Sequence, residues 1–291
     1  MFKFIYKNSE GNAIELGQSA PFFITSKEGL GGVDNDITSV KQFNMDGSYF
    51  VGQRLSTRQI VLHGELLGNS QSDVDELRQR LASVFTPQLN GNLRYEVGDK
   101  IYAIDALVDV TPDFDSKQKN LTIGYVIKLT ALQPYWYDVT EYNKLIPLSK
   151  IDGVMTWPLR ITNNYIFSKL VSGIIVTVNN SGDIPTGAIF TIDISGAVTN
   201  LKILNIATND YFKIIGTFTA GQQIILSTMR GKLAVRKKTA DGYDTNIVGN
   251  REAGSRFFEL KKGENYIQVL ADSGQNLVNA TMKFTPLVVG V

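Results

Sequence analysis

Two long runs of alternating polarity constrain this chain more than any other feature. Tyr102, Ile104, Ala106, Val108 and Val110 share one parity, with Asp105 and Asp109 between them. Leu121, Ile123, Tyr125, Ile127, Leu129 and Ala131 share another, with Thr122, Lys128 and Thr130 between. Successive strand residues point to opposite faces, so each run predicts a half-buried strand. The polar stretch PDFDSKQKN, residues 112–120, joins them as a long hairpin. Arg58–Leu67 is a further strand candidate.

One segment has a different period. In SQSDVDELRQRLASVFTP, residues 70–87, Val74, Leu77, Leu81, Val84 and Phe85 follow helical spacing, which predicts a helix over 72–86. Ser72 and Asp75 are the expected capping pair, and Pro87 the stop. Asp73, Glu76, Gln79, Arg80 and Ser83 form the wet face, leaving an apolar stripe for a sheet.

At 291 residues the chain suggests about two domains. Pro134 and Pro147 bracket the aromatics Tyr135, Trp136 and Tyr137, and a boundary is expected near residue 145. The first domain is then 1–145, β-rich with one helix, and the second 146–291. The aromatics are expected in interdomain packing rather than as a sugar-stacking platform, and Trp157, before Pro158, as an anchor of the second domain. That domain shows no helix. Short strands are expected near 171–178, 188–194, 201–206, 211–216, 222–228, 232–237, 256–260, 265–270 and 279–285, separated by turns such as NNSGD, TADGYD and KKGEN. This spacing argues for a β-sandwich or jelly roll. In VNNSGDIPTGAIFTIDISG, residues 178–196, Gly182 is read as a positive-φ turn residue, with Asn180 and Asp183 making local backbone bonds.

Little chemistry is visible. Net charge is +1, from 29 basic and 28 acidic residues, so no global field favours nucleic acid or an anionic membrane. There is no cysteine and one histidine, His63; thiolate chemistry is excluded, and no H-E-x-x-H or G-x-S-x-G spacing occurs. His63 reads as an ordinary strand residue. Asp105 and Asp109, about 13 Å apart along one strand, read as a solvated face. Asp34 and Asp36 lack the glycine and distal glutamate of a calcium loop. The glycine-rich EGLGGVDND, residues 28–36, is a loop and not a phosphate cradle. Arg230, Lys232, Arg236, Lys237 and Lys238, followed by Asp241 and Asp244, read as a solvated hairpin. No catalytic residue, metal or cofactor is expected. No secretory signal and no apolar run long enough to span a bilayer is visible.

Several blocks carry a family resemblance. They are FNMDGSYFVGQRLSTRQIVLHGELLG (43–68), DVDELRQRLASVFTP, LQPYWYD, VNNSGDIPTGAIFTIDISG, STMRGK (227–232) and AGSRFFELKKGEN (253–265). In this order and spacing the chain resembles the distal tail proteins of siphophages that infect Gram-positive hosts, over nearly its whole length.

The resemblance implies a mainly β fold: a β-rich N-terminal domain with one α-helix, then a galectin-like β-sandwich. It implies a structural, non-enzymatic hub at the virion tail tip, made in the host cytoplasm. Six copies would form a ring by head-to-tail contacts. The ring would meet the major tail tube protein on one side and the tail-associated fibre or spike protein on the other. In some members it holds receptor-binding proteins, and DNA passes through the channel. The ring interface is expected in Lys41–Arg54, at Gln42, Asn44, Tyr49, Gln53 and Arg54. This segment mixes Phe43, Met45, Tyr49 and Phe50 with polar residues and has no core periodicity, which suits an interface and equally an ordinary long hairpin. The alternative function is a carbohydrate-binding module for host cell-wall glycan.

Overall fold

The computed structural model describes residues 2–116, 118, 120–153 and 168–291. The chain divides into two compact units, Met1–Thr140 with Val288–Val291, and Glu141–Leu287. A cut near 145 assigns the last residues to the second domain; here Val288–Val291 belong to the first unit.

The first unit contains β1 (Phe2–Asn8), β2 (Ala13–Leu16), β3 (Phe22–Glu28), β4 (Asn35–Val40), β5 (Tyr49–Leu55), β6 (Arg58–Leu67), α1 (Gln71–Val84), β7 (Asn90–Val97), β8 (Lys100–Phe114), β9 (Thr122–Ala131) and β10 (Trp136–Asp138). Seven of these strands form one sheet in the order β2-β1-β7-β8-β9-β6-β3, and β10 joins β8. A bridge between Gly17 and Phe23 brings its two ends together. The long hairpin and the strand Arg58–Leu67 form as their alternation dictates, with one exception. Leu107 pairs with Thr130 and Val108 with Leu129, but Val110 pairs with Lys128, so Asp109 is an extra residue. A bulge reverses the parity beyond it, and Val110, expected inside, is exposed.

Helix α1 packs Val74, Leu77, Leu81 and Val84 into the core, with Phe85 stacked on Tyr6 at 4.4 Å. Its cap is Ser70, not Ser72: the Ser70 hydroxyl accepts from Asp73 N at 3.2 Å. Asp73 in turn accepts from Asn69 N at 2.7 Å. Ser70 and Ser72 each stand three residues before an aspartate, so the spacing fits both. The helix starts at the earlier one because Gly68 and Asn69 already lie outside it, and it ends before Pro87, at Val84.

The second unit contains β11 (Lys144–Pro147), β12 (Lys150–Gly153), β13 (Ser168–Val171), β14 (Ile175–Asn180), β15 (Ala188–Ile194), β16 (Val198–Asn205), β17 (Asp210–Phe218), β18 (Gln223–Ser227), β19 (Ala234–Lys238), β20 (Asp244–Asn246), β21 (Gly263–Ser273) and β22 (Val278–Phe284); β23 (Leu287–Val288) closes the chain. One sheet runs β11-β22-β15-β18-β19-β20 and the other β14-β21-β16-β17. Phe190, Ile192, Ile224, Leu226 and Met282 of the first share a core with Val178, Leu201, Ile203, Ile267 and Val269 of the second. This is a β-sandwich. The strand expected at 256–260 is absent. Phe257 and Phe258 both turn toward the core, which the alternation of a strand forbids, and only Leu260 bridges, to Thr186. Trp157 lies outside the described residues.

Candidate interaction surface

Strands β4 and β5 form a two-stranded sheet of their own, unpaired with the main sheet. Their register runs from Asn35 opposite Leu55 to Val40 opposite Tyr49, with a bulge after Thr38. The connecting loop turns through left-handed Asn44 (φ 57) and Gly47 (φ 90). Every residue of β4 is exposed, and in β5 only Gly52 and Leu55 are half-buried. Alternate residues face opposite ways, so both faces are uncovered. Yet the hairpin carries Ile37, Val40, Phe43, Met45, Tyr49, Phe50 and Val51, with Phe43 93% exposed. An isolated two-stranded hairpin is marginal in water, and burying each such side chain fully is worth about 1.5–3 kcal/mol.

The root of this hairpin is fixed by one buried side chain. Arg58, the first residue of β6, is 1% exposed. Its Nη1 donates to the carbonyls of Gly29 (2.6 Å) and Gly31 (3.0 Å), its Nε to that of Pro134 (2.7 Å), and its Nη2 to that of Val289. Burial pushes its pKa down. The glycine-rich loop therefore cradles a cation, with carbonyls turned inward, the opposite polarity to a phosphate loop. Gly29 has φ 78, and a Cβ there would lie 1.8 Å from the Gln59 carbonyl oxygen, so no other residue fits. Ser56 N donates to Asp34 O at 2.9 Å and closes the root.

The expected interface residues all lie on this hairpin. Gln42 and Asn44 are on its loop; Tyr49, Gln53 and Arg54 are on β5. Gln53 accepts from Asn35 Nδ2 at 3.1 Å and Arg54 donates to Asp36 at 3.0 Å, so both hold the hairpin itself together. Ile37 and Val40 on β4 escaped the sequence reading, although apolar residues without core periodicity begin there.

In the second unit, three separated sequence blocks meet. Asn180 is buried; its Nδ2 donates to the carbonyls of Ile184 (3.0 Å) and Leu260 (3.1 Å), and its Oδ1 accepts from Gly182 N at 3.0 Å. Gly182 does not have a positive φ. Glycine is needed there because a Cβ would lie 2.6 Å from the backbone N and O of Leu287. At Gly187 a Cβ would lie 2.3 Å from Thr228 O. Thr186 and Leu260 exchange backbone bonds, and Asn265 Nδ2 donates to Lys261 O at 2.8 Å. The carboxylate of Asp183 accepts from Lys262 Nζ at 3.1 Å. The motif is thus a joint of close-packed backbone.

The remaining candidates stay apart. His63 is half-buried in β6 opposite Val126 and Ser26. Asp105 accepts from Asn92 and Asp109 from Thr130, both on the exposed face. Arg230 forks onto Glu259 and Arg236 pairs with Asp244. Trp136 is not a sugar platform. It is fully buried within the first unit, beside Tyr95 and Arg58. Among the described residues no group of three or more His, Cys, Asp or Glu is placed to hold a metal, and no helix is long and apolar enough to cross a membrane.

Comparison with known families gives two matches. Residues 9–126 match the phage tail protein RIFT-related domain, and residues 181–287 match the C-terminal domain of the siphovirus-type tail component. The chain belongs to the siphophage distal tail protein family. Each match falls within one of the two units. Among solved structures the chain is similar to the Dit protein (gp 19.1) of SPP1, with 10% identity, 98% of both chains covered and a TM-score of 0.67. It is also similar to a chain of the phage P2 baseplate in its activated, Ca-bound conformation, with 12% identity, 100% of both chains covered and a TM-score of 0.50. No curated protein matches the chain. At these identities the structural likeness establishes the fold: a β-rich unit with one helix followed by a β-sandwich. A distal tail protein is a structural component of the phage tail, and the exposed hairpin and the sandwich joint are parts of such a component.

Proposed function

We propose that this protein forms a closed ring of six copies at the tip of the tail, joining the tail tube to the fibre or spike. The observation that carries this reading is the β4–β5 hairpin, which displays seven large apolar side chains on a sheet too small to stand alone. A ring needs heterologous contacts, with two different patches on each subunit. A standard patch buries about 800 Å² per partner, an area a projecting hairpin of this length supplies. The similar SPP1 protein is described as a paradigm of the hub adsorption apparatus in phages that infect Gram-positive bacteria, which supports the same role here. In this reading the chain is made in the host cytoplasm and assembles into the tail tip. The tube protein and the fibre protein dock on opposite sides of the ring, receptor-binding proteins attach to the sandwich, and DNA passes through the centre. The role involves no bond-making chemistry.

Negative-stain microscopy with mass measurement over a concentration series tests it. Rings with a central hole and a mass of six chains are expected. A monomer at every concentration, including in the presence of tail tubes as template, would sink the proposal.

A further inference from the structure

We infer that the hairpin tip of one copy seats in a groove on the first unit of the next copy, a groove that crosses the outer faces of β1, β7 and β8. The inference rests on the ring reading and adds the receptor for the hairpin.

The groove has a volume of about 780 Å³ and is lined by Ile5, Lys7, Asn92, Arg94, Leu107 and Leu132, among others. Its position follows from strand parity. Phe4, Tyr6, Leu93, Tyr95 and Ile104 face the core, so Ile5, Lys7, Asn92, Arg94 and Asp105 face the other way. Register places Ile5 opposite Arg94, Lys7 opposite Asn92, and Asn92 opposite Asp105. Two cations therefore stand beside an apolar strip made by Ile5, Leu107 and Leu132, the last 63% exposed. The one carboxylate in the groove, Asp105, already accepts from Asn92 at 2.7 Å.

The hairpin tip has the complementary pattern. Phe43 and Met45 are exposed apolar side chains, and Asp46 follows them at the turn. Nearer the root, Asp36 and Arg54 cancel each other, so Asp46 is the one carboxylate of the connecting loop, on the far side of Phe43 from the loop's one cation, Lys41. Seated in the groove, Phe43 and Met45 cover Ile5, Leu107 and Leu132, and Asp46 meets Lys7 and Arg94. The hairpin does not fill the groove of its own chain, because its seven large apolar residues from Ile37 to Val51 are exposed in the single copy. Hairpin and groove are different patches, so their contact is head-to-tail. Such a contact propagates from copy to copy and closes into a ring when its rotation allows. A flush hairpin-to-hairpin contact would instead stop at a dimer.

The chain has no cysteine, which makes thiol cross-linking of the full-length protein clean. One preparation carries Gln42→Cys, beside Phe43, and a second, distinguishable by an affinity tag, carries Gln133→Cys in the groove; both positions are exposed, and the apolar anchors stay in place. They are mixed and treated with a short bismaleimide. The expected result is a tagged–untagged product, lost when Gln133→Cys is replaced by Glu76→Cys on the wet face of α1. Charge reversal gives a second arm. Arg94→Glu is expected to reduce the product, and Asp46→Lys in the hairpin partner to restore it. If rings form but no Gln42→Cys to Gln133→Cys product appears, the groove is the wrong receptor and the ring reading stands. If Gln42→Cys links mainly to itself, the head-to-tail contact is overturned. If the copies do not associate at all, both readings fall.

Discussion

The guanidinium of Arg58 donates to the main-chain carbonyl of Val289, 231 residues further along the chain. The same group holds Gly29, Gly31 and Pro134. One side chain thus ties together the loop that launches the hairpin, the turn after β9 and the C-terminal residues. All four partners are carbonyls. An arginine fork can serve them with fixed geometry; a lysine ammonium has three donors on a flexible stem and cannot. Replacing Arg58 by Met strips the donor from the buried Pro134 carbonyl, at about 1–3 kcal/mol, and from the partly buried bonds to Gly29, Gly31 and Val289, at less for each. We expect Arg58→Met to destabilise the first unit by about 4 kcal/mol, and Arg58→Lys by about half of that. Urea unfolding checks both, and Arg58→Met within about 1 kcal/mol of the parent chain would refute the clamp.

The sandwich joint predicts a contrast between glycines. Gly182→Ala places a Cβ 2.6 Å from the Leu287 backbone, and Gly187→Ala places one 2.3 Å from Thr228 O. In both the obstacle is backbone, which cannot swing aside. Each change is expected to destabilise the second unit by at least about 2 kcal/mol. Gly249, in the same unit, has nothing within 4 Å of its Cβ position and no positive φ; Gly249→Ala is expected to stay within about 0.5 kcal/mol of neutral. Equal effects at all three positions in thermal unfolding would show that steric approach is not what the joint requires.

What the sequence discloses depends on whether a local period carries the information. Val74, Leu77, Leu81 and Val84 define a helix because one core-facing stripe is enough to place it. Arg58–Leu67 is legible as a strand because Ile60, Leu62 and Leu66 share one buried parity, although its first residue, the buried Arg58, and its last, the exposed Leu67, depart from the pattern. The bulge at Asp109 is invisible because the alternation continues through it in the letters while the pairing slips. Phe257 and Phe258 look like a strand because aromatic composition says nothing about two neighbours facing the same way. Arg58 and Trp136 look like surface or boundary residues. The burial of Arg58 depends on carbonyls that arrive from more than seventy positions away, at Pro134 and Val289, and Trp136 is covered by side chains from other strands, Tyr95 and Arg58 among them. The hairpin was legible only as a segment without a core pattern, and that absence is its physical content: it has no core in the single copy.

Tyr6 gives the first unit an alkaline limit. It is fully buried, its hydroxyl has no hydrogen-bond partner among the described residues, and burial raises its pKa to about 12 from an ordinary 10.0. The neutral phenol is the form the fold accepts. Below about pH 10 both folded and unfolded chains keep the proton and the contribution is complete. Between there and about pH 12 the unfolded chain releases a proton that the folded chain retains, so stability falls as pH rises. Tyr6→Phe removes both the ionisation and the unpartnered hydroxyl. It is expected to gain about 1 kcal/mol at pH 8 and more at pH 11. A residual alkaline loss remains from Tyr125, whose pKa burial also raises. Denaturant midpoints at the two pH values check this; a Tyr6→Phe chain with the parent's alkaline slope would contradict it.

The hairpin predicts a separation between folding and assembly. Phe43 touches no core, so Phe43→Ser and Phe50→Ser should change the unfolding free energy of the single copy by less than about 0.5 kcal/mol. If the hairpin makes the ring, the same changes remove buried anchors from the contact. A central aromatic in an interface is worth about 2 kcal/mol or more, roughly thirtyfold in affinity for each contact. Gln53→Ala and Arg54→Ala should do far less, because Asn35 and Asp36 hold these side chains within the hairpin and exposed ion pairs contribute little. Among the expected interface residues the ranking therefore places Tyr49 above Gln42 and Asn44, and those above Gln53 and Arg54. Sedimentation velocity at matched concentrations measures it. Loss of rings with an unchanged unfolding midpoint is the expected outcome for Phe43→Ser, and intact rings with that variant would show that the hairpin's apolar face is covered by something other than a neighbouring copy.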